Sequence, residues 1–154
     1  MERRILVAVD ESKESMFALY WCITNLIPET SNVKLVLLYV KPTPAIQSFI
    51  ATGYVFYNDV ISDMEKYCIG LVESVMERVG DICKKLHSTD IKMERVVGSG
   101  DAKDVICRAV KKFEVDTLVM GTHSYGFFKR ALVGSVSDYC AIHAKCAVVI
   151  VKHP

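Results

Sequence analysis

No apolar run in this sequence approaches the roughly 20 residues that carry a helix across a bilayer. The runs at residues 35–40 and 147–151 have the length of strands. An export signal is missing too. Met1-Glu2-Arg3-Arg4 is followed by five apolar residues before Asp10, with no small-residue cleavage site. A cytoplasmic protein is therefore expected. Charge of one sign is also lacking: 19 Lys and Arg stand against 18 Asp and Glu, a formal net charge of +1. Nothing in that balance favours DNA, RNA or an anionic membrane surface as a partner. Six cysteines are present (Cys22, Cys68, Cys83, Cys107, Cys140 and Cys146), but no C-x-x-C pair. Without an export signal a disulfide framework is not expected, and cysteines on apolar faces read as small hydrophobes. The G-x-x-x-x-G-K-[ST] loop is absent, which excludes a P-loop NTPase. Gly98-x-Gly100 does not extend to G-x-G-x-x-G, because Lys103 takes the last place, so no dinucleotide site is expected there.

What is there is an alternation. The chain of 154 residues is 51% apolar and 24% charged, which suits one compact domain over residues 1–154 with a sizeable core. Short Val, Ile and Leu-rich runs occupy residues 5–9, 33–40, 91–97, 117–120 and 147–151. Most are apolar almost throughout, as expected of strands buried on both faces of a parallel sheet. Between them lie stretches with helical spacing. Met16, Leu19, Tyr20, Ile23, Leu26 and Ile27 form one stripe, with Ser12 placed to cap it. Ile61, Met64, Cys68, Leu71, Val75, Val79, Ile82 and Leu86 form a longer one, weakened by Gly70 and Gly80. Val105, Ile106, Ala109, Val110 and Phe113 predict a third helix that Asp101 can cap, and a fourth is expected over residues 136–144. Five strands and four helices in this order predict an α/β fold: an open, doubly wound, five-stranded parallel sheet with right-handed crossovers. Such sheets bind ligands beyond the carboxyl ends of their strands, at the point where strand order reverses. That rule directs attention to Asp10, Val40, residues 98–101 and the chain from Gly121 onward.

Residues 39–59 read as a long loop, with Pro42, Pro44 and Gly53 and the aromatics Phe49, Tyr54, Phe56 and Tyr57. A lid, a partner surface and a loop packed by its own rings are all compatible with that composition. The segment from Met120 to Cys140, MGTHSYGFFKRALVGSVSDYC, is the most informative. It leaves a predicted strand, passes Gly121, His123, Ser124 and Gly126, and enters a helix at Gly134-Ser135-Val136-Ser137. Glycines admit an anion to backbone N–H groups, and a helix N-terminus supplies unpaired donors and a favourable dipole. The pattern fits a phosphate cradle, and scattered glycines also fit ordinary turns. Asp10, just past the first strand, reads either as a ligand contact or as a turn residue. Cys140, His143 and Cys146 make C-x-x-H-x-x-C, for which core thiols beside a helix-terminal His are a better reading than zinc. Lys129 and Arg130 fit a solvated loop, and His123 has no visible carboxylate partner that would make it a base.

The glycine segment resembles the G-x-x-G-x9-G-[ST] motif of the ATP-binding universal stress proteins. Gly121, Gly134 and Ser135 match at the family's spacing, and Ser124 stands where the second glycine is expected. The resemblance extends to RILVAVDESKES at the start, LLYVKP, VVGSGDAKDVI with Ala102 in place of a common proline, and the plant-like ending GSVSDYCAIHAKCAVVIVK. It implies a Rossmann-like sheet of strand order 3-2-1-4-5 and an adenine nucleotide, ATP or AMP, with Mg2+ bridging its phosphates. Asp10 would face the ribose, and Ala8, Val9 and Val40 would line the adenine pocket. Gly121, Gly134, Ser135, Val136 and Ser137, with His123, Ser124 and Gly126 from the same loop, would surround the phosphates. A homodimer through residues 147–151 is also implied. The function implied is a nucleotide-binding stress-response switch or scaffold, with protein partners not identified by sequence and at most slow hydrolysis. The alternative is a dimeric docking module of the same fold that has lost the nucleotide, which the Ser124 departure favours. A true adenine-nucleotide hydrolase ranks last, because no base or acceptor site is visible.

Overall fold

The computed structural model describes residues 1–41, 57–86, 91–122 and 135–154, with the backbone alone for residues 57–64. Along the chain run β1 (Arg3–Val9), α1 (Lys13–Leu26), β2 (Val33–Lys41), α2 (Tyr57–Lys85), β3 (Lys92–Ser99), α3 (Ala102–Lys112), β4 (Thr117–Gly121), α4 (Ser135–His143) and β5 (Ala147–Val151). The five strands form one parallel sheet in the order β3-β2-β1-β4-β5. The chain builds outward from β1 through β2 to β3, then returns to the other side of β1 with β4 and β5. The reversal point therefore lies between β1 and β4, in the strand order that the family resemblance implies.

Side-chain alternation along the strands separates two cores. Ile5, Val7 and Val9 of β1, with Leu35, Leu37 and Tyr39 of β2, face α1 and α2. Leu6 of β1, Val36 and Leu38 of β2, and Leu118 and Met120 of β4 face α3 and α4. The three central strands are thus buried on both sides, which explains their unbroken apolar sequences. The edge strands depart from that expectation. β3 alternates between half-buried and exposed positions, and four of the five β5 residues are half-buried or exposed.

Ser12 caps α1 as expected, its hydroxyl accepting the Ser15 N–H at 3.1 Å. Tyr20 does not belong to the α1 core stripe: it is 45% exposed, and Ala18 and Cys22 take the buried positions instead. The buried stripe is narrower than the apolar spacing implies, and an amphipathic tyrosine at its margin keeps its ring against Phe17, 6.2 Å away between centroids. Val75 and Val79 of α2 are buried, and Leu71, Ile82 and Leu86 pack against them. The side chains of Ile61 and Met64 lie outside the described residues. Residues 57–59, whose composition suits the end of a loop, are the first turn of α2. The aromatic content of that stretch masks a helix start. Asp101 occupies the N-cap of α3 but its carboxylate makes no capping bond; Lys103 Nζ donates to it at 2.9 Å instead. Among the described residues no helix is long and apolar enough to cross a membrane.

Candidate functional site

A cavity of about 170 Å³ opens at the carboxyl ends of β1 and β4, at the reversal point of the sheet. β1 delivers Ala8, Val9 and Asp10 to it, and β2 delivers Leu38 and Val40. Ala8 and Leu38 are register partners, so the two strands present a continuous apolar surface there. Met120 and Gly121 enter from β4, Ala102 and Ile106 from α3, and Ser135, Val136 and Ser137 from the first turn of α4. An apolar floor thus meets a polar rim formed by one carboxylate and the amino end of a nine-residue helix. The helix dipole makes that end attractive to an anion. Ser137 is 4% exposed, so its hydroxyl sits deep at the helix start.

The Asp10 turn is tightly built. The Ser12 N–H donates to Asp10 Oδ1 at 2.8 Å, and the Ser12 hydroxyl donates to the same oxygen. The Asp10 N–H donates to Ser15 Oγ at 2.9 Å, and that hydroxyl lies 3.1 Å from the Asp10 carbonyl and 3.2 Å from the Ser12 carbonyl. Asp10 is thus both a turn residue and a lining residue of the cavity. One residue on, Glu11 is tied at two points: the buried Tyr39 hydroxyl donates to its carboxylate, and Arg78 Nη1 donates to its carbonyl at 2.8 Å. Burial, then the Glu11 hydrogen bond, holds the Tyr39 hydroxyl well above the ordinary phenol range, so it remains a proton donor.

Eight residues singled out from sequence come together here: Ala8, Val9, Asp10, Val40, Gly121, Ser135, Val136 and Ser137. His123, Ser124, Gly126 and Gly134 lie outside the described residues, as do Lys129 and Arg130. Sequence reasoning missed Ser12, Ser15, Leu38, Ala102, Ile106 and Met120 as lining residues. Leu38 was legible by alternation, since it shares a strand face with Val40. Gly121 gains a packing role. A Cβ there would sit 2.6 Å from the Glu14 carbonyl oxygen, so glycine lets the first turn of α1 close onto the end of β4. Gly98 and Gly100 likewise serve the fold. A Cβ on Gly98 would meet Val105 Cγ1 at 2.5 Å, and Gly100 has φ +132°.

The C-x-x-H-x-x-C residues do not converge on a metal. Cys140 is buried with its sulfur 3.9 Å from that of Cys107, and burial, then Cys107, pushes its thiol up to about 12. His143 points its Nδ1 at the Tyr139 carbonyl, 2.9 Å away, and stacks on the Tyr139 ring. Among the described residues no group of three or more His, Cys, Asp or Glu side chains gathers to hold a metal ion.

A five-stranded parallel sheet that reverses its strand order beside β1, with an apolar cleft and a helix start at the reversal point, defines a doubly wound α/β protein. Comparison with known proteins makes the class narrower. The profile described as "Universal stress protein family" matches residues 1–152. The Arabidopsis thaliana universal stress protein PHOS32 is 31% identical over 99% of this chain, and PHOS34 is 28% identical over 99%. The chain spans 65% and 62% of the lengths of those two relatives. Among solved structures, an Arabidopsis thaliana universal stress protein with AMP bound superposes with a TM-score of 0.70 at 26% identity, covering 99% of this chain and 92% of that one. A universal stress protein in complex with cAMP gives a TM-score of 0.65 at 20% identity, covering 97% and 95%. The chain belongs to the universal stress protein family.

Proposed function

We propose that the protein binds an adenine nucleotide, AMP or ATP, in the cavity between β1 and β4, and acts as a nucleotide-dependent switch or scaffold in a stress response. The observation that carries this reading is the convergence of Ala8, Asp10, Val40 and Ser135–Ser137 on one cavity at the sheet's reversal point. The apolar floor suits a purine base, the Asp10 carboxylate suits ribose hydroxyls, and the α4 start suits phosphate. AMP in the similar Arabidopsis structure supports the ligand class. With no metal-binding cluster among the described residues, Mg2+ would be held mainly by the nucleotide's phosphates. Residues 123–134, including Ser124 and Gly134, supply the remainder of the motif. Any hydrolysis of the bound nucleotide would be slow at most. β5 lies at the sheet edge with Val148, Val149 and Ile150 only half-buried, which supports a homodimer through Ala147–Val151. A cytoplasmic location and protein partners complete the reading.

Calorimetric titration with AMP and with Mg-ATP tests it. Micromolar binding to the wild type is expected, abolished by Ala8→Phe, which fills the cavity floor, and by Gly134→Asp, which sets a like charge at the phosphates. No binding to the wild type, rescued by Ser124→Gly, would favour the second reading, a dimeric docking module that has given up its ligand. Binding unchanged by Ala8→Phe would place the nucleotide elsewhere.

A further inference from the structure

Besides Ser12 and Ser15, which line the cavity, the Asp10 turn is anchored by Tyr39 and Arg78, which do not line it. Tyr39 is 1% exposed and its ring packs in the core between the sheet, α1 and α2. A phenylalanine would satisfy that packing; the hydroxyl is needed only for a partner at the end of the ring. That partner is the carboxylate of Glu11, the residue between Asp10 and the α1 cap Ser12. Arg78, well along α2 and 67 residues away in sequence, holds the carbonyl of the same residue at 2.8 Å. Glu11 is thus fixed from β2 through its side chain and from α2 through its backbone. Its neighbours Asp10 and Ser12 are locked to each other by the hydrogen bonds at Asp10 Oδ1. An exposed glutamate would not otherwise be immobilised, since a free side chain and turn keep their conformational entropy.

We propose that Tyr39 and Arg78 are positioning residues of the nucleotide site, clamping Glu11 so that the Asp10 carboxylate is presented to the ligand in a fixed orientation. The clamp rests on the reading of the cavity as a nucleotide site for its purpose, but its mechanical half stands without it. Preorganisation of this kind raises affinity because the ordering cost of the turn is met before the ligand arrives. It also ties α2 to the ligand-binding turn.

Tyr39→Phe, Glu11→Ala and Glu11→Gln separate the alternatives. Glu11→Gln keeps an oxygen that accepts the tyrosine proton; Glu11→Ala removes the acceptor at an exposed position, so one variant remains informative if Tyr39→Phe does not fold. The first readout is amide hydrogen exchange of Asp10, Ser12 and Ser15 in the ligand-free protein. Tyr39→Phe and Glu11→Ala are expected to speed it about tenfold, with Glu11→Gln near wild type. Unchanged exchange in both disrupting variants would overturn the clamp whether or not any nucleotide binds. The second readout is AMP affinity in wild-type and Asp10→Ala backgrounds. Tyr39→Phe is expected to weaken AMP about tenfold in the wild-type background and by less than about twofold when Asp10 is already gone. Equal losses in both backgrounds would show a general structural effect and overturn the positioning role. Failure of the wild type to bind AMP at all would instead overturn the nucleotide reading and with it the clamp's purpose, while exchange still decides whether the clamp exists.

Discussion

Single residues show how much a glycine's role depends on its surroundings. Gly121 matches the family motif, yet its Cβ position is occupied by the Glu14 carbonyl at 2.6 Å. Gly121→Ala is expected to cost about 2 kcal/mol or more, because backbone rather than a movable side chain must shift. Gly70 and Gly80 lie inside α2, and a methyl group added to either would meet nothing within 4 Å. Alanine at either is expected to stabilise by about 0.5–1 kcal/mol. Urea unfolding of the three variants checks both signs. Cys22 offers a pH test. It is fully buried, and burial, opposed by Arg3, pushes its thiol from 9.0 up to about 12. The folded state therefore holds the proton after the unfolded chain has lost it. The stability this contributes is complete below about pH 9 and is lost as pH rises towards 12, at ~1.4 kcal/mol per pH unit. Cys22→Ala is expected to flatten the alkaline stability profile by that slope. Equal profiles for the two proteins would refute the assignment.

At the scale of elements, two helices with acceptable cap residues are capped differently. Ser12 caps α1 through a hydrogen bond that its hydroxyl accepts from the Ser15 N–H, so Ser12→Ala is expected to cost about 1 kcal/mol. Asp101 is drawn to Lys103, so Asp101→Ala is expected to lower stability by less than Ser12→Ala does. Thermal unfolding of the pair reads the difference. Sequence could place both residues at helix starts but could not choose between backbone and lysine as the partner of a carboxylate. The same limit governs the rest. Strand positions were legible because a central parallel strand must be apolar on both faces: Leu35, Val36, Leu37 and Leu38 are all buried. The edges were less so: β5 is as apolar in sequence as a central strand, yet four of its five residues are exposed or half-buried. Tyr20 and residues 57–59 depart from expectation because periodicity gives the axis of a stripe and not its width, and aromatics suit a helix start as readily as a loop.

For the whole molecule, the decisive feature is topology. Reversal of strand order beside β1 creates the crevice, and the strands that build it contribute their carboxyl ends while α4 contributes its amino end. That is why Asp10, Val40 and Gly121, distant in sequence, were legible as one site once the strand–helix alternation was recognised. Ser15 and Ile106 were not, because their inward orientation depends on how α1 and α3 rotate against the sheet. The Glu11–Tyr39–Arg78 clamp was invisible for the same reason: it joins three elements through side-chain directions that no local pattern encodes. At this scale the edge strand β5 carries its own prediction. Val149→Lys, on the half-buried edge, is expected to convert a dimer to a monomer in light scattering, and a wild-type monomer would contradict pairing through Ala147–Val151.

The central claim is that the cavity between β1 and β4 takes an adenine nucleotide. NMR titration of the isotope-labelled protein with AMP tests it most directly. Saturable shifts concentrated at the amides of Val9, Asp10, Val40, Gly121 and Ser137 are expected. Saturable shifts confined to another face, such as the groove between β3 and α3 lined by Val97, Arg108 and Lys112, would contradict it, as would no shifts at millimolar AMP.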